Sequence, residues 1–380
     1  NIYNGYRLTK GYRYKIKRIK LLNALSKATK AVSVRSPLPV LTGIKFDLLE
    51  DRLVLTGSDS DLTIQTVINE DDDLEIIEEG SVVLSSRYIL DIVRKINSDD
   101  IEIEIIDGLL TRIKGNQIEY SLNGTDAIDY PRIDLSKTGT HFIMNALHLK
   151  NIISETKFAA SDKENKPILT GINFKAKNNT LECVATDSYR LAKKIIPLDE
   201  DVTFNITIPK LSLDEISKII EKDEDIELYV SDRKVLFVFD QNIIQTRLID
   251  GSYPDTARLI PDHFDYELDI DTVDILNAID RVSLLSNEQN NIIKLDLSSD
   301  KVMLSSYQQE IGSVEENLST SFYKGEPLSI SFSCKYASDA IKSFKGTKIR
   351  ILLTGEMKPF IIKDIEKDDL IQLVLPVRTY

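Results

Sequence analysis

Apolar and polar residues alternate over many short stretches of this 380-residue chain. The stretches IKFDLL (44–49), LVLTG (53–57), LTIQTVI (62–68) and KVLFVFD (234–240) are examples, some with short apolar runs within them. A period of two predicts strands with unlike faces, and the short gaps between them predict antiparallel sheets with one covered face. Other stretches follow the helical period. Tyr88, Ile89, Ile92, Val93 and Ile96 fall on one side of a helix, and a further helix is predicted over about Lys20–Ala31. The fold class is therefore α+β.

The pattern repeats. LPVLTGI (38–44) returns as KPILTGI (166–172), at an offset of 128 residues. At the same offset GSDS (57–60) lies over ATDS (185–188). A single offset serving two separated motifs indicates a duplicated unit with one internal geometry. A second motif occurs three times: VVLSSRYILDIVRKI (82–96), TIPKLSLDEISKII (207–220) and SFSCKYASDAIKSF (331–344). Each copy is a short strand, then an amphipathic helix, then an alternating strand: DDIEIEI (99–105), DEDIELYV (223–230) or TKIRILL (347–353). Tyr130-Pro131 and Tyr253-Pro254 correspond as well. The third copy of the first motif, NNIIKLDLSSDKVMLSS (290–306), keeps the strand–turn–strand pattern without LTGI. Three units are expected, at 13–136, 137–262 and 263–380, joined near 135–141 and 261–267, with residues 1–12 as an extension.

Composition adds constraints. The net charge of −13 speaks against nucleic acid, but its distribution does not. Residues 1–46 hold eleven Lys or Arg and no acid, leaving −24 on the remainder. The polar faces of the predicted helices lean basic in all three units, with Lys27, Lys30, Arg94, Lys157, Lys218 and Lys342 among them. Taken singly, such faces are solvated surfaces. Gathered around one channel, they would neutralise phosphates without reading sequence. Two separated cysteines, Cys183 and Cys334, suit buried thiols in a reducing cytoplasm. No apolar run approaches the roughly 18 residues of a membrane span, and no secretory leader is recognised.

Chemistry-bearing constellations are not found. His141, His148 and His263 lack metal-ligand spacing, and neither a phosphate loop, nor GxGxxG, nor GxSxG occurs. Asp59-Ser60-Asp61 and Asp71-Asp72-Asp73 suit turn chemistry better than metal binding. No catalytic residue, metal or cofactor is expected.

Five motifs in order, RSPLPVLTGI (35–44), TGSDS (56–60), ATDSYRLA (185–192), LIDGSYPDTARLIP (248–261) and LVLPVRTY (373–380), closely resemble the bacterial DNA polymerase III β-subunit family, most of all its low-GC Gram-positive members. The resemblance spans about residues 13–380. It implies three DNA-clamp domains per chain, with sheets outside and helices lining a ring closed by head-to-tail homodimerisation. The join is then expected between a first-domain edge strand with Tyr120 and Leu122 and a third-domain helix with Leu284 and Leu285. Simple core packing is the alternative for those four residues.

The resemblance further implies double-stranded DNA as a sequence-independent partner, contacted by Arg35 and the equivalent loop residues Lys163 and Lys166. It also implies a groove for short peptides with apolar anchors, from the polymerase III catalytic subunit, the clamp loader, repair polymerases, mismatch-repair proteins and ligase. By matched motif the groove takes Leu169; Thr186, Tyr189, Arg190 and Leu191; Pro254, Arg258 and Leu259; and Val374, Leu375, Pro376 and Val377. The implied role is that of a non-catalytic processivity factor. Two other readings stand beside it: a paralogous accessory or resistance clamp, and a scaffold that binds peptides but not DNA.

Overall fold

The structure, a computed structural model, describes residues 12–286 and 291–378. Residues 1–11 of the expected extension lie outside that range, but Tyr12 belongs to the fold. It is fully buried, and its hydroxyl lies 3.0 Å from that of Tyr14.

Six helices alternate with antiparallel strands: α1 (Arg18–Ala28), α2 (Ser86–Lys95), α3 (Ala146–Thr156), α4 (Lys210–Ile219), α5 (Thr272–Val282) and α6 (Cys334–Lys342). The first helix begins two residues earlier than its apolar period suggested, and it ends in a tight turn over Thr29–Ala31. Gly57 explains the close approach of that end to the sheet, because a Cβ there would sit 2.2 Å from the Ala28 carbonyl oxygen.

Backbone contacts gather the three repeats into two compact units. One holds the residues through Ala146 with Glu215–Leu248; the other holds Leu147–Asp214 with the residues from Ile249 on. The reason is sheet continuity. In the first unit, strand Leu62–Asn69 pairs with strand Asn242–Arg247, which merges the two repeats' strands into one eight-stranded sheet. In the second, strand Arg190–Pro197 pairs with strand Leu370–Val374 within a nine-stranded sheet. A five-stranded sheet completes the first unit and a four-stranded sheet the second. Each repeat boundary in the sequence is thus crossed by hydrogen-bonded strands, and the central repeat contributes to both units.

The cores follow the predicted alternation. Leu21, Leu25 and Ala28 of α1 and Ile89 and Val93 of α2 meet Ile16, Ile44, Phe46, Leu55 and Ile103. In the second unit Ile275, Ile279 and Val282 of α5 and Ala337 and Ile341 of α6 meet Leu268, Leu295, Phe332 and Ile351. Tyr88, expected on the apolar face of α2, is exposed, and Ile89 and Val93 carry the buried face.

The two copies of the Asp-containing motif fold alike. Asp59 Oδ1 accepts the backbone N–H groups of Asp61 and Leu62, and Asp187 Oδ1 accepts those of Tyr189 and Arg190. Ser60 and Ser188, at equivalent positions, both take positive φ, 82° and 78°. Asp71 likewise accepts the N–H of Asp73. These carboxylates are occupied in closing turns, as short polar side chains do.

Candidate functional site

Strand Arg190–Pro197 has two faces that do different work. Leu191 points to one face, where it packs with Val184 and Leu373 beneath Tyr253 and Ile260. Arg190, Ala192 and Lys194 point to the other. The register Arg190↔Val374 and Leu191↔Leu373 carries this alternation onto the last strand. Val374, expected in the groove, therefore packs into the core around α5 and α6. Leu373, its neighbour, supplies the apolar wall beside Leu191. The matched motif named Val374; strand parity puts Leu373 on the face that Leu191 shares.

The other expected groove residues fall on or beside the turns at Pro167–Thr170 and Ala257–Leu259, the turn before strand Arg190–Pro197, and just after strand Leu370–Val374. Leu169 is buried in a turn over Pro167–Thr170. Thr186 Oγ1 donates to the Arg190 carbonyl oxygen at 2.7 Å and accepts the Ser188 N–H, which shapes the turn presenting Tyr189. Tyr189 is 55% exposed and Leu259 53%, while Pro254 and Arg258 are exposed around a short turn at Ala257–Leu259. The chain end is held: the Leu375 N–H donates to the Tyr189 carbonyl at 3.0 Å, and that of Val377 to the Ser331 carbonyl at 2.8 Å. Leu375, Pro376 and Val377 are consequently half-buried beside Tyr189. Apolar walls with a few polar groups at the rim make a surface fit for an extended apolar segment.

The same scaffold recurs in the first repeat, yet without an apolar wall. Pairing of Thr63 with Gln245 is register-equivalent to pairing of Leu191 with Leu373, and Thr56 stands where Val184 does. In the third repeat the corresponding residues are Ser305 and Ser313. Of the three equivalent outer faces, only the one built on Leu191 is apolar. That difference was legible in the repeat alignment once strand parity was applied.

Arg190 has neighbours that motif matching did not suggest. Its Nη1 donates to Asp339 Oδ2 at 2.8 Å and its Nε to Asp187 Oδ2 at 3.2 Å. Its guanidinium lies 4.3 Å from the Tyr336 ring centroid and 5.7 Å from that of Phe158. Nearby, Lys194 Nζ sits 2.8 Å from both Glu155 Oε2 and Asp369 Oδ2. Burial by itself would lower the Lys194 pKa, but the two carboxylates outweigh it and hold the ammonium above its ordinary value. Gln372, 1% exposed, donates to the Glu155 carbonyl and to Ser343 Oγ.

The expected DNA-facing residues belong to both units. Arg35, Lys163 and Lys166 are exposed in loops, Lys342 is exposed on α6, and Lys27 and Lys30 are half-buried near the end of α1. Arg94 pairs with Asp91 at 3.3 Å, Lys218 lies 3.5 Å from Glu215, and Lys157 pairs with Asp214. Tyr120 and Leu122 lie on strand Glu119–Asn123, the last strand of its sheet, half-buried against the first core. Leu284 is 80% exposed in the turn after α5, beside the half-buried Leu285.

Cys183 and Cys334 are buried and free, and burial raises both thiols above the usual range. Among the described residues no helix is long and apolar enough to cross a membrane.

Comparison with known proteins accounts for the repeat. Residues 12–134, 144–255 and 257–378 match the N-terminal, central and C-terminal domain families of the DNA polymerase III beta subunit. The chain is 40% identical over 377 residues to the beta sliding clamp of Bacillus subtilis, covering 97% of this chain and all of that one. It is also 40% identical over 374 residues to that of Staphylococcus epidermidis, covering 97% and 99%. The crystal structure of the B. subtilis DNA polymerase sliding clamp superposes with a TM-score of 0.93 at 39% identity, over 97% of this chain and 99% of that one. With three domain matches in order and such identity along nearly its whole length, this chain belongs to the DNA polymerase III beta-subunit family of sliding clamps.

Proposed function

We propose that two copies of this chain close head to tail into a ring around duplex DNA, and that the ring tethers the replicative polymerase. Strand pairing carries the ring reading. Strand Leu62–Asn69 of the first repeat pairs with the last strand of the second, and strand Arg190–Pro197 of the second with the last strand of the third. The equivalent third-repeat strand, Gly312–Asn317, and the equivalent last strand of the first repeat, Glu119–Asn123, each end their sheet among the described residues. A second chain supplies what each edge lacks, and the rule that joins repeats within the chain then joins chains. Six repeats close, and no edge strand of this kind is left over. Tyr120, Leu122, Leu284 and Leu285 fall beside this join.

Helices lining such a ring would present Lys27, Lys30, Arg94, Lys157, Lys218 and Lys342, with Arg35, Lys163 and Lys166 on loops. Contact is then diffuse, independent of sequence and weakened by salt. The groove around Leu191, Leu373, Leu259 and Leu375 holds a peptide from the polymerase catalytic subunit. The clamp loader, repair polymerases, mismatch-repair proteins and ligase would compete for it. Tethering raises the polymerase's local concentration at the primer end and requires no bond chemistry from this chain. A cytoplasmic setting follows from this role.

Loading onto nicked circular DNA tests the topology. The protein is expected to stay bound through a high-salt wash and to leave once the circle is cut. Equal loss from circular and linear DNA overturns the ring. For the groove, a chain lacking Leu375–Tyr380 is expected to lose binding of polymerase tail peptides while remaining dimeric. Unchanged peptide affinity would refute it.

A further inference from the structure

Arg190 directly precedes the wall residue Leu191 on its strand, yet its charge is already spent. Asp187 and Asp339 each accept one of its N–H groups, and only 10% of its side chain is exposed. Tyr336 covers one side of the guanidinium at 4.3 Å, with Phe158 further off at 5.7 Å. Asp187 also has a second task, since its Oδ1 closes the turn onto Tyr189 and Arg190. Asp339 is different. It stands on α6, 149 residues away in sequence, and its contact with Arg190 bridges the second and third repeats. A planar cation paired on its edge and stacked on its face has little left to offer a ligand carboxylate. Removing one partner would leave a nearly buried charge partly unmatched.

We propose that Asp339 and Tyr336 are positioning residues which hold Arg190 neutralised and flat. The groove therefore takes its peptide by apolar side chains and gains nothing from an acidic residue placed against Arg190. The proposal rests on the groove reading above and adds how the groove discriminates. Arg258 and Arg378 are exposed and are unchanged in every variant compared, so they act as a constant background in the comparison that follows.

The test uses the full-length protein and two fluorescein-labelled nonapeptides built on the host polymerase's C-terminal tail. One carries Asp at a central position and the other Asn. The parent protein is expected to bind both within about twofold, whatever the salt. Asp339→Asn is isosteric but removes the countercharge. It is expected to prefer the Asp peptide by about fivefold at low ionic strength, with the preference fading as salt rises. Asp339→Glu should restore near-equal binding, which loss of packing alone would not predict. Adding Arg190→Gln to Asp339→Asn should erase the preference. Should Asp339→Asn fail to fold, Tyr336→Leu frees the guanidinium face and is expected to shift the ratio in the same direction. An unchanged Asp/Asn ratio in the variant that folds overturns the proposal. Failure of the parent to bind either peptide instead overturns the groove itself.

Discussion

Lys194 shows how one residue changes what a repeated position does. Its equivalent in the first repeat is Thr66, paired across the strands with Asn242 as Lys194 is with Leu370. Glu155, which meets Lys194, has Lys27 as its equivalent. Gln372 has Ile244. A buried ammonium between two carboxylates therefore exists at one strand junction and not at the other. Because its pKa is raised in the folded chain, Lys194 binds its proton more tightly folded than unfolded. It contributes stability at neutral pH, and that contribution is lost as the pH climbs through and beyond the ordinary lysine value near 10.5. Lys194→Met is expected to lower the midpoint of thermal unfolding at pH 7, since it strands Glu155 in a buried site. The gap to the parent should persist up to the ordinary lysine pKa of about 10.5 and narrow only as the pH is raised beyond it. A gap independent of pH would mean that packing, and not the ion pairs, carries the effect.

At the scale of elements, the two strand junctions share a register but differ in what backs them. Behind the Arg190–Pro197 and Leu370–Val374 pair lie the Lys194–Glu155–Asp369 group and the Gln372 hydrogen bonds. Lys345 also donates to Asn151 at 2.7 Å, and Arg190 joins Asp339. Behind the Leu62–Asn69 and Asn242–Arg247 pair, an open pocket of about 270 Å³ is lined by Lys20, Asn23, Lys27, Asn69, Asp71 and Gln241. Neither side-chain polar atom of the buried Asn242 has a hydrogen-bond partner among the described residues, and each such atom costs about 1–3 kcal/mol. Local opening should therefore be easier at the first junction. Hydrogen exchange followed by mass spectrometry is expected to show faster exchange in strand Asn242–Arg247 than in strand Leu370–Val374. The reverse order would place the weak joint elsewhere. Filling the buried position, as in Asn242→Leu, should slow exchange there, because Leu370 occupies the matching site.

The whole molecule is set by edges. Among the described residues, strands Glu119–Asn123 and Gly312–Asn317 are the members of the repeating pair series that end their sheets. Leu284, 80% exposed beside the third-repeat sheet, is hard to place in a lone soluble chain. Leu284→Asp, or Tyr120→Asp on the opposing edge, is expected to convert a dimer to a monomer by sedimentation or light scattering, with each chain still folded. Peptide binding should survive, because Leu191, Leu373 and Leu375 all lie within one chain. A variant that stays dimeric would remove these residues from the join, and a parent protein that is monomeric would remove the ring.

Much of this architecture is written in local patterns. The offset of 128, the period-two strands, the helical faces and the Asp-closed turns could be read directly from the residues, because each depends on neighbours a few positions away. The family, too, was legible in five short motifs. Tertiary structure decided which way side chains face and which distant groups meet. Val374 and Leu373 are adjacent in sequence, yet strand pairing sends one into a core and the other to the outer wall. Asp339 and Tyr336 lie in a helix with no local sign of their tie to Arg190, and Glu155 and Asp369 find Lys194 only when three separate segments converge. Contacts across such separations depend on the fold and leave no periodic trace in the chain. Three similar units were thus evident from the residues alone, but only strand pairing showed which side chains of each repeat share a face.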